Sequence, residues 1–164
     1  MQSEYEAAGI SFSLFIDQER SEYVTEQLRN FNKAHWETLP TSPDTPPIAA
    51  PLEMYAVDTS GTVIGGLIGR THSIRGWFEV SAIWVKEDER GRGIGRQLMA
   101  LSEYEAIRRG CRYARLATSD YQAPGFYPKL GYTLYGALEN CPPGVTCFYY
   151  RKDLTARDSE ASSS

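Results

Sequence analysis

The apolar positions along the chain recur at two different spacings, and these divide it into strands and helices. Ser11 to Ile16 places Phe12, Leu14 and Ile16 on alternate positions and predicts a first strand. From Glu19 to Asn32, Tyr23, Val24, Leu28 and Phe31 recur at helical spacing. This predicts an amphipathic helix, with Asp17 placed to cap it. Thr38 to Pro51 carries five prolines among Thr, Ser and Asp and reads as a connector, because proline removes a donor and breaks both regular structures.

Leu52 to Val57 and Thr62 to Arg70 flank the turn segment Asp58-Thr59-Ser60-Gly61 and predict an antiparallel hairpin. Trp77 to Val85 is apolar on both alternating sets, as expected of a central strand covered on both faces. A helix from Gly93 to Arg109 follows, with Ile94, Leu98, Leu101, Tyr104 and Ile107 on one stripe and Gly110 placed to end it. Tyr113 to Thr118 returns as a strand, so strand, helix and strand form a right-handed βαβ unit with parallel strands. A short helix near Ala123 to Leu130 and strands at Thr133 to Leu138 and Thr146 to Lys152 complete the order. The expectation is an α/β (α+β) fold: a mixed, mostly antiparallel sheet of six or seven strands flanked by helices. It occupies a single domain over 1–154, with 155–164 a polar tail.

Composition narrows the class. Of 164 residues, 41% are hydrophobic and 23% charged, the balance of a soluble globular chain with its own core. The three cysteines, Cys111, Cys141 and Cys147, form neither a CxxC pair nor a metal-ligand set with histidines. They are expected as reduced thiols, and no metal is expected. Neither a leader-like amino terminus nor an apolar run of membrane-spanning length is present, so a cytoplasmic protein with no membrane partner is the expectation. A formal charge of -4 argues against a nucleic-acid partner, which normally meets a basic face.

The chemistry concentrates in Val85-Lys86-Glu87-Asp88-Glu89-Arg90-Gly91-Arg92-Gly93-Ile94-Gly95-Arg96, a charged turn that ends in three alternating glycines at a helix start. Glycines allow the main chain close to a ligand, and the free N–H groups and dipole of a helix start favour an anion, with Arg92 and Arg96 available to add contacts. The Walker loop requires Gly-Lys-Ser/Thr and the dinucleotide fingerprint GxGxxG, and neither pattern is met.

Arg90, Gly93 and Gly95 match the loop Gln/Arg-x-x-Gly-x-Gly/Ala of the GNAT acetyltransferase superfamily, which the chain resembles from about Ser11 to Leu154 in element order. The resemblance implies acetyl-CoA as co-substrate, with pyrophosphate contacts from Arg90, Gly91, Arg92, Gly93, Ile94, Gly95 and Arg96. It also implies pantetheine contacts from the main chain of Ile83, Trp84 and Val85, which requires a splayed or bulged strand. Ala123-Pro124-Gly125-Phe126-Tyr127-Pro128-Lys129-Leu130-Gly131-Tyr132 is similar to the superfamily's segment near the transfer centre, and Tyr127 falls on the tyrosine proposed to protonate the departing thiolate. Where many members carry a cofactor-binding Asn this chain has Asp120, which when ionised accepts and does not donate. The contact either stays with Asp120 or passes to Ser119 or Gln122.

An amine attacks a thioester only after losing a proton, and Glu79 or a water chain is the expected route. Glu79 falls where histone-type members place a base, and by alternation it shares a side with Ile83 and Val85. His35 and His72 are weaker candidates. The expected activity is direct N-acetyl transfer to a primary amine of a small molecule or peptide, by a monomer or homodimer. The alternative is a CoA-binding sensor without turnover.

Overall fold

The computed structural model describes residues 3–7, 10–14, 16–36, 49–72 and 75–155. By its contacts the chain divides into two compact units, 1–46 and 47–164. In the first unit, β1 (Ser3–Ala7) pairs antiparallel with β2 (Ile10–Leu14), and α1 runs over Gln18–Trp36. Asp17 caps α1: its Oδ1 accepts from the Arg20 N–H at 3.0 Å, and its carbonyl accepts from Ser21 at the same distance. Most of the proline-rich connector, and the side chains of His35 and Trp36, lie outside the described residues.

The second unit holds β3 (Ala49–Val57), β4 (Val63–His72), β5 (Trp77–Val85), α2 (Ile94–Arg108), β6 (Tyr113–Ser119), β7 (Thr133–Leu138) and β8 (Cys147–Asp153). Its six strands lie in the order β3-β4-β5-β6-β8-β7, and every pairing is antiparallel except β5 with β6, which α2 joins as the expected βαβ unit. Strand β3 begins earlier than the proline count implied and includes Pro51. An edge strand tolerates that residue because one of its sides has no ladder to supply. In the β3–β4 turn, Asp58 Oδ1 accepts from the N–H groups of Ser60 and Thr62 at 2.8 and 2.9 Å.

The core of this unit forms on one face of the sheet from Leu52, Leu67, Phe78, Val80 and Leu116, with Leu98, Met99 and Ala106 of α2. Beneath it a charged pair is satisfied rather than excluded. Glu103 of α2, 1% exposed, accepts from Lys152 Nζ at 2.6 Å and from the Tyr132 hydroxyl at 3.0 Å.

Strand β5 departs from the expected double cover. Ile68 pairs with Ala82 but Gly69 with Val80, so Ser81 is the extra residue of a β-bulge. The core-facing set accordingly passes from the buried Phe78 and Val80 to the partly buried Ile83 and Val85, while Ser81, Ala82 and Trp84 are exposed. The pairing with β6 also ends at Val80 and Leu116, so the second half of β5 lacks a strand on that side. Gly69 is required opposite the bulge, where a Cβ would stand 2.5 Å from the Glu79 carbonyl oxygen. The short helix expected over Ala123 to Leu130 is instead two successive 3₁₀ turns, Pro124–Phe126 and Pro128–Leu130. Pro128 has no N–H to continue an α-helical ladder back to Pro124.

Candidate functional site

Past Val80 and Leu116 the parallel strands diverge, and the gap opens into a cleft of about 730 Å³ within the second unit. One wall is β5 from Val80 to Val85, the other is Leu116, Ala117 and Thr118 of β6, and the floor is Phe126 and Tyr127 of the 3₁₀ segment. The glycine loop closes the end nearest α2.

The loop is built from local interactions. Arg90 Nε donates to the Val85 carbonyl at 3.1 Å, which ties the loop to the end of β5, while Arg92 is ion-paired with Glu89. Gly91 and Gly93 adopt φ of 78° and 82°, the left-handed region that side chains resist, and Gly93 is the N-cap of α2. The first helical bond that Gly93 accepts comes from Gln97, at 3.0 Å. The N–H groups of Ile94, Gly95 and Arg96 therefore have no acceptor within the helix, and all three residues line the cleft. The first turn of α2 contains no acidic residue, so the positive end of the helix dipole is uncompensated there. Such an end suits a phosphate-type anion.

Tyr127 is 7% exposed and packs at ring-centroid distances of 5.3, 6.1 and 5.7 Å from Phe126, Tyr132 and Tyr150. Burial pushes its phenol above the ordinary tyrosine value, while the adjacent Thr118 hydroxyl opposes part of that rise. The group holds its proton at neutral pH and faces the cleft, the arrangement a general acid needs.

Ten of the thirteen residues singled out from the sequence line this cleft: Ile83, Trp84, Val85, Arg90, Gly91, Gly93, Ile94, Gly95, Arg96 and Tyr127. Arg92 does not; its guanidinium is ion-paired with Glu89, which does line the cleft. Asp120 does not line it either. Its carboxylate accepts from the Thr146 N–H at 3.0 Å and its own N–H donates to the Thr146 carbonyl at 2.9 Å, which fastens the end of β6 to the start of β8. Glu79 also lies outside the cleft walls. It is bonded to Arg115 Nη2 at 2.8 Å with His72 Nε2 4.0 Å away, and the Arg115 guanidinium lies over the Trp77 ring at 5.8 Å. The bulge at Ser81 shifts the alternation, so Glu79 does not share a side with Ile83 and Val85 as simple counting implied. Sequence reasoning passed over Thr118 and Phe126. For Thr118 a signal existed, since it lies at the carboxyl end of the second strand of the βαβ unit, one residue before its last, and ligands of α/β sheets gather at the carboxyl ends of parallel strands.

Residues 51–134 match the family described as Acetyltransferase (GNAT) domain. Blasticidin-S acetyltransferase of Streptomyces morookaense is 39% identical over 110 residues, which cover 65% of this chain and 79% of that protein. A crystal structure of an acetyltransferase from Bacillus cereus superposes with a TM-score of 0.67 at 25% identity, covering 85% of this chain and 95% of the other. An aminoglycoside 6′-N-acetyltransferase crystallised with coenzyme A shares the fold, with a TM-score of 0.59 at 19% identity over 94% and 97% of the two chains.

Proposed function

The chain belongs to the GNAT acetyltransferase family, as an acetyl-CoA-dependent N-acetyltransferase, and from that premise we propose that it acetylates a primary amine of a small molecule by direct transfer in a ternary complex. The observation that carries the reading is the convergence of three features on one cleft: the uncompensated N–H groups of Ile94, Gly95 and Arg96, the gap between β5 and β6, and the buried phenol of Tyr127.

These residues fit acetyl-CoA. The left-handed glycines and free N–H groups of the loop suit its pyrophosphate. The unpaired edge of β5 from Ser81 to Val85 offers main-chain donors and acceptors to the amides of the pantetheine arm, in the manner of an added strand. Acetyl-CoA supplies an activated acyl group as a thioester. The protein holds it by main chain at the loop and at β5, and Tyr127 gives a proton to the sulfur as it departs. The proton shed by the amine leaves through water. Glu79, held by Arg115 outside the cleft, is assigned the far end of that water chain rather than direct contact. The small-molecule class of the acceptor follows the name that the Streptomyces relative carries for itself.

The test is thiol release from acetyl-CoA across a panel of small-molecule amines and amino-terminal peptides, with wild type and Tyr127→Phe. Turnover is expected on small amines and not on peptides, and Tyr127→Phe should lower kcat by about 10²–10⁴-fold. Tight acetyl-CoA binding with no turnover on any amine would overturn the proposal.

A further inference from the structure

The turn that follows β6 is built around one side chain. The Gln122 N–H donates to the Ser119 carbonyl at 3.0 Å, and its side-chain Oε1 accepts from both the Ser119 N–H and the Thr118 hydroxyl at 2.9 Å. A main-chain N–H only donates, so the Ser119 bond requires the oxygen of the Gln122 amide, and not its nitrogen, to face β6. The amide is planar, so Nε2 diverges from both of these bonds, and it carries two hydrogens. Neither hydrogen has an acceptor among the described residues. Gln122 is exposed and lines the cleft. Its polar neighbours are already committed, Asp120 to Thr146 through both its N–H and its carboxylate, and the Thr118 hydrogen to Gln122 itself.

An exposed glutamine ordinarily samples several rotamers, and a ligand that orders it loses part of the bond it gains. The two bonds to Oε1 fix this one in the free protein, so a ligand meets a donor that is already held in place. The position matters as much as the order. Pairing of β5 with β6 ends at Val80 and Leu116, so an extended group lying in the gap has the main chain of β5 on one side and the turn after β6 on the other. The glycine loop closes one end of that gap and Tyr127 lies on its floor. Between a pyrophosphate at the loop and a thioester near Tyr127, the arm of acetyl-CoA is a chain of amides, and each amide carbonyl oxygen accepts hydrogen bonds.

Resting on the reading of this cleft as the acetyl-CoA site, we propose that Gln122 is a binding residue for the pantetheine arm, its Nε2 donating to an arm amide carbonyl from the wall opposite β5. Thr118 and Ser119 serve this contact by holding the amide oxygen, and so decide that the hydrogens of Gln122, and not its oxygen, are offered to the ligand. The contact is made by a side chain, so substitution reads it directly. The main-chain contacts of β5 offer no such handle.

The experiment is calorimetric titration of the full chain, as wild type, Gln122→Glu and Gln122→Ala, with acetyl-CoA, with CoA and with adenosine 3′-phosphate 5′-diphosphate, which keeps the pyrophosphate and lacks the arm. Gln122→Glu keeps an oxygen for Thr118 and Ser119 and removes the donor, while Gln122→Ala removes the donor and adds no charge. We expect both variants to weaken acetyl-CoA and CoA by about tenfold, the effect of one hydrogen bond, and to leave the arm-free nucleotide within about twofold of wild type. In NMR of the ¹⁵N-labelled chain, the side-chain N–H signals of Gln122, assigned by their absence in Gln122→Glu, should shift with CoA and not with the nucleotide. Equal weakening of the nucleotide overturns the inference, because added charge or a disturbed turn would then account for the loss. Unchanged acetyl-CoA affinity in Gln122→Ala overturns it as well. A loss that acetyl-CoA shows and CoA does not would put the contact on the thioester carbonyl and overturn the assignment to an arm amide. If wild type binds none of the probes, the reading of the cleft fails and this inference falls with it. If wild type binds all of them and the Gln122 variants bind equally well, only the role of Gln122 fails.

Discussion

Gly93 and Gly95 stand two positions apart and are both glycines, but they are constrained by different physics. Gly93 has a φ of 82°, so a side chain there costs about 1 kcal/mol of strain and moves the N–H groups that follow it. Gly95 has ordinary backbone, and a Cβ on it would meet the Phe126 ring at 3.4 Å, a normal contact. Gly93→Ala should therefore lower both the unfolding free energy and the affinity for acetyl-CoA, the latter by about tenfold or more, one pyrophosphate hydrogen bond being worth that much. Arg92→Ala should change affinity by less than about threefold, since it breaks only an exposed ion pair. Calorimetric titration of the two variants decides the ranking, and an Arg92 effect larger than that of Gly93 would contradict a main-chain-built anion site.

Tyr127 and Cys111 carry pH and reactivity signatures. Burial raises the Tyr127 phenol, so the stability it contributes is intact below the ordinary tyrosine range and is lost as pH rises through the elevated folded value. Denaturant midpoints measured from pH 8 upward should fall more steeply above about pH 10 in wild type than in Tyr127→Phe. Cys111 is 3% exposed, donates its S–H to the Trp77 carbonyl, and is held as a thiol by burial. Cys141 is exposed. A thiol reagent should label Cys141 promptly in the native protein and Cys111 only after unfolding, as peptide mapping would show.

At the level of elements, the bulge at Ser81 is the feature on which the cleft depends. Gly69→Ala would place a methyl 2.5 Å from a backbone oxygen and 2.8 Å from the Phe78 ring, and neither neighbour is the free end of a flexible chain. A loss of about 1–3 kcal/mol is expected from such overpacking, with weaker acetyl-CoA binding as β5 shifts. A variant with wild-type melting would show that the strands relax more freely than their packing implies. The bulge was not legible in the sequence. Trp77 to Val85 is apolar on both alternating sets, so a shift of phase leaves no mark in the pattern, and an extra residue reveals itself only against the register of β4. By contrast, β5, α2 and β6 were legible to within about a residue at each end, because strand and helix periodicities change abruptly at the glycine loop. Strand β1 was passed over because Ser3-Glu4-Tyr5-Glu6-Ala7 lacks the β-branched residues that mark a strand, and pairing with β2 supplies what propensity does not. The ion pair of Glu79 with Arg115 was equally hidden, since those residues are 36 positions apart and meet only through the parallel register.

For the whole molecule, the second unit carries this cleft, whose lining among the described residues runs from Val80 to Tyr127. Among the described residues no helix is long and apolar enough to cross a membrane. A ligand that binds the folded state and not the unfolded one stabilises the fold by mass action. At a hundredfold excess over its dissociation constant, acetyl-CoA should add about 2.7 kcal/mol, or about 5–10 °C in melting temperature for a chain of this size. A thermal scan with and without acetyl-CoA checks this, and an unshifted transition would count against the cleft as the binding site.

The unpaired edge of β5 has a consequence for how such a protein can diverge. Amide groups are the same whatever side chains they carry, so the main-chain grip on the donor proposed above would tolerate drift from Ser81 to Val85 so long as the bulge and the gap persist. On that reading the side chains of the stretch would be released to take up new acceptors. A lineage built on this strand can exchange one amine for another while inheriting its acetyl source unchanged.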